Sequence, residues 1–329
     1  MNMKELIETF TDQLQEAIAI GRQARFKPAR SSVQNVLISG LGGSGIGATI
    51  VAQLTDKQLR VPVVVNKDYF IPAFVSGNTL VIICSYSGNT EETLQAMEEA
   101  LRSQAMICCI SSGGKVIERA QKNGLDHIII PGGRPPRSAF AYSFTQLFYV
   151  LHGYGVMDRS FESMLTEAVT FLRAESDSIQ LQARRLAEQL HEKIPVIYCD
   201  ASMEGVAIRW RQQLNENAKM LCWHHVLPEM NHNELVGWTK ASNQLAVVFL
   251  RNETDYQRTR VRMDLTRKIV SQYTPHVYEI WSKGNNSIER TLYLIHLGDW
   301  ISWHLSDIKQ IDATEVKVID YLKSELARV

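Results

Sequence analysis

Leu80-Val81-Ile82-Ile83-Cys84-Ser85-Tyr86-Ser87-Gly88-Asn89-Thr90-Glu91-Glu92-Thr93 passes from an apolar run, through a turn crowded with hydroxyls around one glycine, into a helix start near Thr90. The apolar run from Leu80 to Cys84 reads as a buried strand. A strand-to-helix turn aims unbonded backbone N–H groups and the positive end of a helix dipole at one point. Ser85, Ser87, Thr90 and Thr93 add neutral donors that can wrap phosphate oxygens. The same residues are also ordinary turn formers and helix caps. A second turn of the same kind, forty residues upstream, moves the balance toward an anion cradle for a phosphate monoester. Val36-Leu37-Ile38-Ser39-Gly40-Leu41-Gly42-Gly43-Ser44-Gly45-Ile46-Gly47 is again strand, glycine-rich turn and helix start. Open parallel sheets bind ligands outside the carboxyl ends of their strands.

Gly40, Gly42 and Gly45 also fit the Gly-x-Gly-x-x-Gly spacing of a dinucleotide site. Such a site needs an acidic ribose partner about twenty residues on. Pro62-Val63-Val64-Val65-Asn66-Lys67 stands there instead, and no Walker lysine follows the glycines.

Working outward, apolar runs at 36–39, 61–65, 80–84, 106–110 and 127–130 alternate with helical patterns starting near Gly45, Glu91 and Lys115. That alternation predicts an α/β fold with a doubly wound parallel sheet. A helix over about 4–21 precedes it, and helices over 138–153 and 161–193 follow. A second α/β unit then begins, with strands at 194–199, 245–250 and 276–281 and helices at 203–220, 254–272, 287–306 and from Thr314 onward. Its order repeats that of the first half, which predicts a diverged internal duplication. The expected organisation is an N-terminal domain over 1–153 carrying the cradle, a helical connector over 154–192 and a C-terminal domain over 193–329. In the second copy Arg251-Asn252-Glu253-Thr254-Asp255 stands where the serine-rich turn would be. One phosphate site per chain is therefore expected, in the first domain.

Taken in order, Gly42-Gly43-Ser44-Gly45, Ser85-Tyr86-Ser87-Gly88-Asn89-Thr90-Glu91-Glu92-Thr93, Pro136-Arg137-Ser138, Asn215-Glu216-Asn217-Ala218-Lys219 and Asn231-His232-Asn233-Glu234 resemble the motifs of the sugar isomerase (SIS) family. The set most resembles the family's bifunctional phosphoglucose/phosphomannose isomerase branch and spans nearly the whole chain. The resemblance implies two SIS-type parallel-sheet sandwich domains. It also implies an aldose–ketose isomerase acting on hexose 6-phosphates through a cis-enediolate, working as a homodimer. Other sugar phosphates, or a non-catalytic sensor that keeps only the cradle, are the alternatives.

Such a reaction needs a base to move a proton between C1 and C2, a cation or donors for the oxyanion, and a group to open the ring. The resemblance points to Glu216 as the base, a residue that could otherwise be a helical glutamate paired with a lysine. It points to Arg137 for the oxyanion, with Arg134 nearby as a competitor. It assigns ring opening to His232, contributed to the neighbouring subunit's site; imidazole suits that work because it accepts and donates a proton near neutrality. Gly43, Ser44, Ser85, Ser87, Thr90 and Thr93 would hold the phosphate, with Gly42 beside them. The terminal helix resembles one that brings a lysine to the substrate hydroxyls, Lys323 or else Lys317, with Thr314 nearby. Asp312-Ala313-Thr314-Glu315 departs from the prolines expected around that threonine.

Composition narrows the remaining classes. At 329 residues and 45% hydrophobic content the chain can bury two ordinary cores. With 35 basic and 35 acidic residues, no bulk field recommends nucleic acid or an anionic membrane. No uncharged apolar run reaches the ~18 residues of a membrane span. Met1-Asn2-Met3-Lys4-Glu5-Leu6 begins an amphipathic pattern rather than a signal peptide. Five cysteines without a C-x-x-C pair suggest reduced thiols in the cytoplasm. His232 and Glu234 complete no metal-binding motif, so neither metal nor cofactor is expected.

Overall fold

Runs of β-branched and aliphatic residues, apolar on both faces, form the central strands of two parallel sheets, as strands covered on both sides by helices must. A computed structural model of the chain describes residues 1–326 and 328. The chain divides into two compact units. The first comprises Thr9–Ala174 and Gly284–Leu292; the second comprises Met1–Glu8, Glu175–Lys283 and the chain from Tyr293 onward.

Helix α1 (Met3–Glu8) is grouped with the second unit. The first unit runs α2 (Phe10–Gln23), β1 (Asn35–Ser39), α3 (Gly42–Thr55), β2 (Val63–Asn66), β3 (Thr79–Cys84), α4 (Glu91–Arg102), β4 (Met106–Ser111), α5 (Gly114–Lys122), β5 (Asp126–Ile129), α6 (Phe140–Gly153) and α7 (Phe161–Ala174). Its sheet has the order β2-β1-β3-β4-β5, all parallel. The order reverses between β1 and β3, so the crevice of this doubly wound sheet opens where the two hydroxyl-bearing turns leave their strands. Helix α6 is buried from Phe140 to Leu151. Its Phe140, Phe144 and Phe148 rings run in contact with one another and on to Phe161 of α7. On α2, Gly21 lets the backbone meet the Tyr149 ring where any Cβ would collide.

The second unit continues with α8 (Ser176–Leu190), β6 (Ile194–Asp200), α9 (Glu204–Glu216), β7 (Trp223–Leu227), β8 (Leu245–Arg251), α10 (Gln257–Val270), β9 (Val277–Trp281), α11 (Ser287–Ile308, whose first turns are grouped with the first unit) and α12 (Lys317–Leu326). The sheet order β7-β6-β8-β9, again parallel, repeats the first four positions of the other sheet. The expected pair of doubly wound parallel sheets is therefore present.

Three elements differ from the sequence expectation. The 4–21 helix is broken after Glu8, and the 161–193 helix is broken between α7 and α8. Strand β7 has no counterpart in the predicted elements, because His224 and His225 interrupt its apolar pattern. It forms because the open edge of β6 needs backbone partners, which Val196 to Asp200 find opposite Trp223 to Leu227.

The core of the second unit holds a charge. Arg209 on α9 and Asp299 on α11 are 1% and 4% exposed and meet in a two-point pair, Nη2 to Oδ2 at 2.9 Å and Nε to Oδ1 at 3.2 Å. Gln213 donates to the same Oδ1 at 2.8 Å. The next residue, Trp210, donates to the Leu294 carbonyl at 2.7 Å, and its indole covers Gly298, where a Cβ would lie 2.4 Å from the ring.

At the carboxyl end of β8 the second sheet carries an internal ion-pair network. Buried Arg251 pairs with Asp264 at 2.9 Å and Glu279 at 2.6 Å and lies over the Trp281 ring at 4.8 Å. Beside it Asp255 is buried and accepts from the Asn252 backbone N–H at 3.0 Å. Burial, with the nearby Asp200 adding to it, pushes the Asp255 carboxyl up to about 6. Four of the five cysteines are buried, and Cys222 is half-buried. Burial pushes the Cys109 and Cys222 thiols up to about 12.

Two stability measurements test this account. Asp299→Ala leaves the Arg209 guanidinium buried without its carboxylate, so it is expected to cost about 3–5 kcal/mol in urea unfolding; a loss below about 1 kcal/mol would show that the pair is not the anchor of α9 on α11. For Asp255 the folded pKa lies above the unfolded value, so folded protein binds the extra proton between about pH 4 and 6, and stability falls as pH rises through that window. Asp255→Asn removes the penalty and should raise the melting temperature by a few degrees above pH 6, worth about 1–2 kcal/mol, with no gain near pH 4. An equal gain at both pH values would contradict the buried-charge explanation.

Candidate active site

Within the first unit, the two turns at the switch point are pressed together: a Cβ at Gly40 would lie 2.7 Å from the Cys84 carbonyl oxygen. Gly45 lies so close to the end of β1 that a Cβ would sit 2.1 Å from the Gly40 carbonyl oxygen. Gly43 lies against the chain at Pro136–Arg137, where a Cβ would be 2.9 Å from the Arg137 nitrogen and the Pro136 oxygen. Only glycine fits either place. Gly42 turns the chain into α3 with φ +52° and has open space over its Cα.

The hydroxyls are arranged so that protons remain to be given. Ser44 Oγ accepts from the Tyr86 N–H at 2.9 Å, which ties the start of α3 to the turn after β3 and leaves the Ser44 proton for another acceptor. Ser85 Oγ and Thr90 Oγ1 lie 3.0 Å apart, so that one donates to the other and one proton is left over. Ser87 is exposed and accepts from the Asn89 N–H at 3.3 Å. Thr90 occupies the N-cap of α4 without a side-chain capping bond, so the first N–H groups of that helix point into the turn. Thr93, in the first turn of α4, is fully buried, and its hydroxyl has no hydrogen-bond partner among the described residues. These features suit a ligand with several acceptor oxygens.

Arg137 sits in a short 3₁₀ turn, Pro136–Ala139, and is 3% exposed. The neighbouring Arg134 is held by its backbone N–H to Tyr86 Oη at 3.1 Å, with its guanidinium 5.6 Å from the Tyr142 ring centre. Burial pushes the Tyr86 hydroxyl up, so it keeps its own proton while its oxygen accepts that N–H. Tyr86 thus links Ser44 and Arg134, a connection that no turn motif announces.

In the second unit Glu216 is the last residue of α9 and is half-buried. The sequence pattern carries this helix to Met220, but Lys219 takes the left-handed conformation, φ +52°, and ends it. Asn215 and Asn217 hold their places by structural bonds, to the Met220 carbonyl at 2.6 Å and Ser302 Oγ at 2.9 Å. Lysines cover the helix end. Lys219 Nζ donates to the Glu216 and Glu315 carbonyls, each at 2.6 Å, and Lys309 Nζ to the Ala218 carbonyl at 2.8 Å. Burial lowers the affinity of Lys309 for its proton. Lys219 therefore binds the end of α9 to the segment containing Thr314, whose N–H donates to Asp312 Oδ1 at 2.7 Å.

His232, in the 3₁₀ turn Glu229–His232, and Lys323, on α12, are exposed. Helix α12 buries none of its residues and exposes Val318, Tyr321 and Leu322. Lys317, at its start, lies 3.8 Å from Glu315. Among the described residues no group of three His, Cys, Asp or Glu side chains is placed to hold a metal ion. No helix there is long and apolar enough to cross a membrane.

The first unit thus presents donors to an anion, and the second presents a carboxylate at a lysine-covered helix end. Known proteins resemble the chain over both units. Residues 179–326 match the model of the bacterial phospho-glucose isomerase C-terminal SIS domain. A bifunctional phosphoglucose/phosphomannose isomerase from Caldicellulosiruptor bescii is 37% identical over 99% of both chains. One from Aquifex aeolicus is 34% identical over 90% of this chain and 91% of its own. Among solved structures, the C-terminal domain of glucosamine-fructose-6-phosphate aminotransferase from Francisella tularensis superposes with a TM-score of 0.77 at 11% identity, covering 95% of this chain and 98% of that one. That likeness concerns the fold, whereas identity at this level along two full chains fixes kinship: the chain belongs to the bifunctional phosphoglucose/phosphomannose isomerase family.

Proposed function

We propose that the protein interconverts glucose 6-phosphate and mannose 6-phosphate with fructose 6-phosphate through a cis-enediolate. The observation that carries this reading is the 37% identity with a named bifunctional isomerase over 99% of both chains. The donor-lined turns of the first unit supply the physical support, since they suit the one group common to all three sugars.

In this reading Gly43, Ser44, Ser85, Ser87, Thr90 and Thr93 hold the phosphate, with Gly42 at their edge. The grip is built from hydroxyls and N–H groups and does not depend on which epimer is bound. His232 opens the ring. Glu216 then takes the C2 proton of the open aldose and returns it to C1, on the same face of the planar enediolate. Arg137, whose charge cannot be lost, stabilises the oxyanion as it forms. Lys323 and Thr314 bind substrate hydroxyls. Rotation about C2–C3 after ring opening lets one base reach the C2 hydrogen of either epimer. We further propose that the protein works as a homodimer, with His232 given to the partner's site, and that it resides in the cytoplasm.

Glu216→Gln is the decisive variant. Turnover of glucose 6-phosphate and of mannose 6-phosphate should each fall by about 10²–10⁴-fold with hexose phosphate binding kept. A loss confined to one epimer would require a second base and refute the shared mechanism. Thr93→Val, which removes one buried hydroxyl at nearly constant shape, should raise KM about 10–150-fold for all three sugar phosphates, the worth of one hydrogen bond to a charged group. An unchanged KM would take Thr93 out of the phosphate grip.

A further inference from the structure

The His232 imidazole makes no hydrogen bond or ion pair among the described residues, yet the chain on both sides of it is fixed. Asn231 Nδ2 donates to Thr266 Oγ1 at 2.8 Å, and Arg262 donates to Asn231 Oδ1 at 3.3 Å. Asn233 Nδ2 donates to Glu229 Oε1 at 2.7 Å, and Asn233 Oδ1 accepts from the Glu234 N–H at 2.6 Å. Glu234 reaches furthest inward. Its Oε1 accepts from Tyr198 Oη at 2.5 Å and from Trp223 Nε1 at 3.1 Å. Tyr198 Oη in turn accepts from Trp238 Nε1 at 3.1 Å, where the loop ends.

The anchors lie in the sheet. Tyr198 is fully buried in β6, and Trp223 opens the adjacent β7, whose register against β6 places His225 opposite Tyr198. A hydroxyl-to-carboxylate bond of this length is charge-assisted and about twice as strong as a neutral one. Burial and the Glu234 carboxylate both hold the Tyr198 proton in place, so the donor persists through the neutral range. A loop that needed only to be folded could be held by apolar packing, which Met230 and Leu235 already provide. A two-donor carboxylate two residues from an outward-facing histidine fixes direction as well as position.

We infer that Tyr198 and Glu234 are positioning residues for His232, setting the height and angle at which the loop offers its imidazole to the ring oxygen of the sugar. This rests on the assignment of His232 to ring opening. Misplacement of a reacting group by about 1 Å costs up to about a hundredfold in rate. The effect belongs to the step that uses His232, so a substrate that needs no ring opening escapes it.

The test compares fructose 6-phosphate with 5-deoxyfructose 6-phosphate, which cannot close a ring through O5. The variants are Tyr198→Phe, Glu234→Leu, Glu234→Gln and His232→Asn in the full-length protein. Tyr198→Phe and Glu234→Leu should lower kcat on fructose 6-phosphate about tenfold or more, and change kcat on the 5-deoxy sugar less than about twofold. Glu234→Gln, which keeps an acceptor oxygen, should restore most of the rate, and His232→Asn should show the same selective loss. Equal losses on both sugars, or none in Tyr198→Phe and Glu234→Leu while His232→Asn loses rate, overturn the positioning role and leave His232 in place. A His232→Asn enzyme with full activity on fructose 6-phosphate overturns the ring-opening assignment and the positioning role with it.

Discussion

The approach of backbone to backbone at Gly43 and Gly45 is the constraint on which the first unit turns. Helix α3 begins against the end of β1 because Gly45 has no Cβ to meet the Gly40 carbonyl, and against Pro136–Arg137 because Gly43 has none either. Those contacts bring Ser44 to the Tyr86 N–H, Tyr86 to the loop of Arg134, and the buried Arg137 beside the helix start. A methyl group at either glycine would push apart the pieces from which the proposed anion site is made. The second unit has a different keystone, the Arg209–Asp299 pair, which fixes α9, the helix that carries Glu216, on α11.

Much of this was legible in the residues. Continuous apolar runs located the central strands because those strands are apolar on both faces, and the hydroxyl-rich turns declared themselves through composition. Strand β7 was not legible, since an edge strand containing His224 and His225 owes its existence to the neighbour it pairs with. The end of α9 was also hidden. Nothing local predicts that Lys219 will turn left-handed, because the bonds that reward it go to carbonyls at 216 and 315, nearly a hundred residues apart. Tyr198, which binds Glu234, looks from its sequence like one more aromatic in a strand.

The two sheets show what a repeated topology leaves free. Both have the order 2-1-3-4 over their first four strands, and both open a crevice at the same place. In the first the crevice is lined with donors that have protons to give. In the second, the charge of Arg251 is met from within by Asp264 and Glu279 and by the Trp281 ring, leaving little field for an outside anion. The fold supplies the position, and the side chains decide whether it faces a ligand or the protein itself.

The placement of the cysteines bears on how the protein meets chemical stress. A thiol reacts as its thiolate, and here burial keeps the protons on: Cys84, Cys108, Cys109 and Cys199 lie inside the sheets, and half-buried Cys222 points its sulfur at the Arg211 carbonyl. Peroxide and thiol-directed electrophiles therefore find no ready thiolate among the five cysteines, and the fold itself does the work of keeping them reduced.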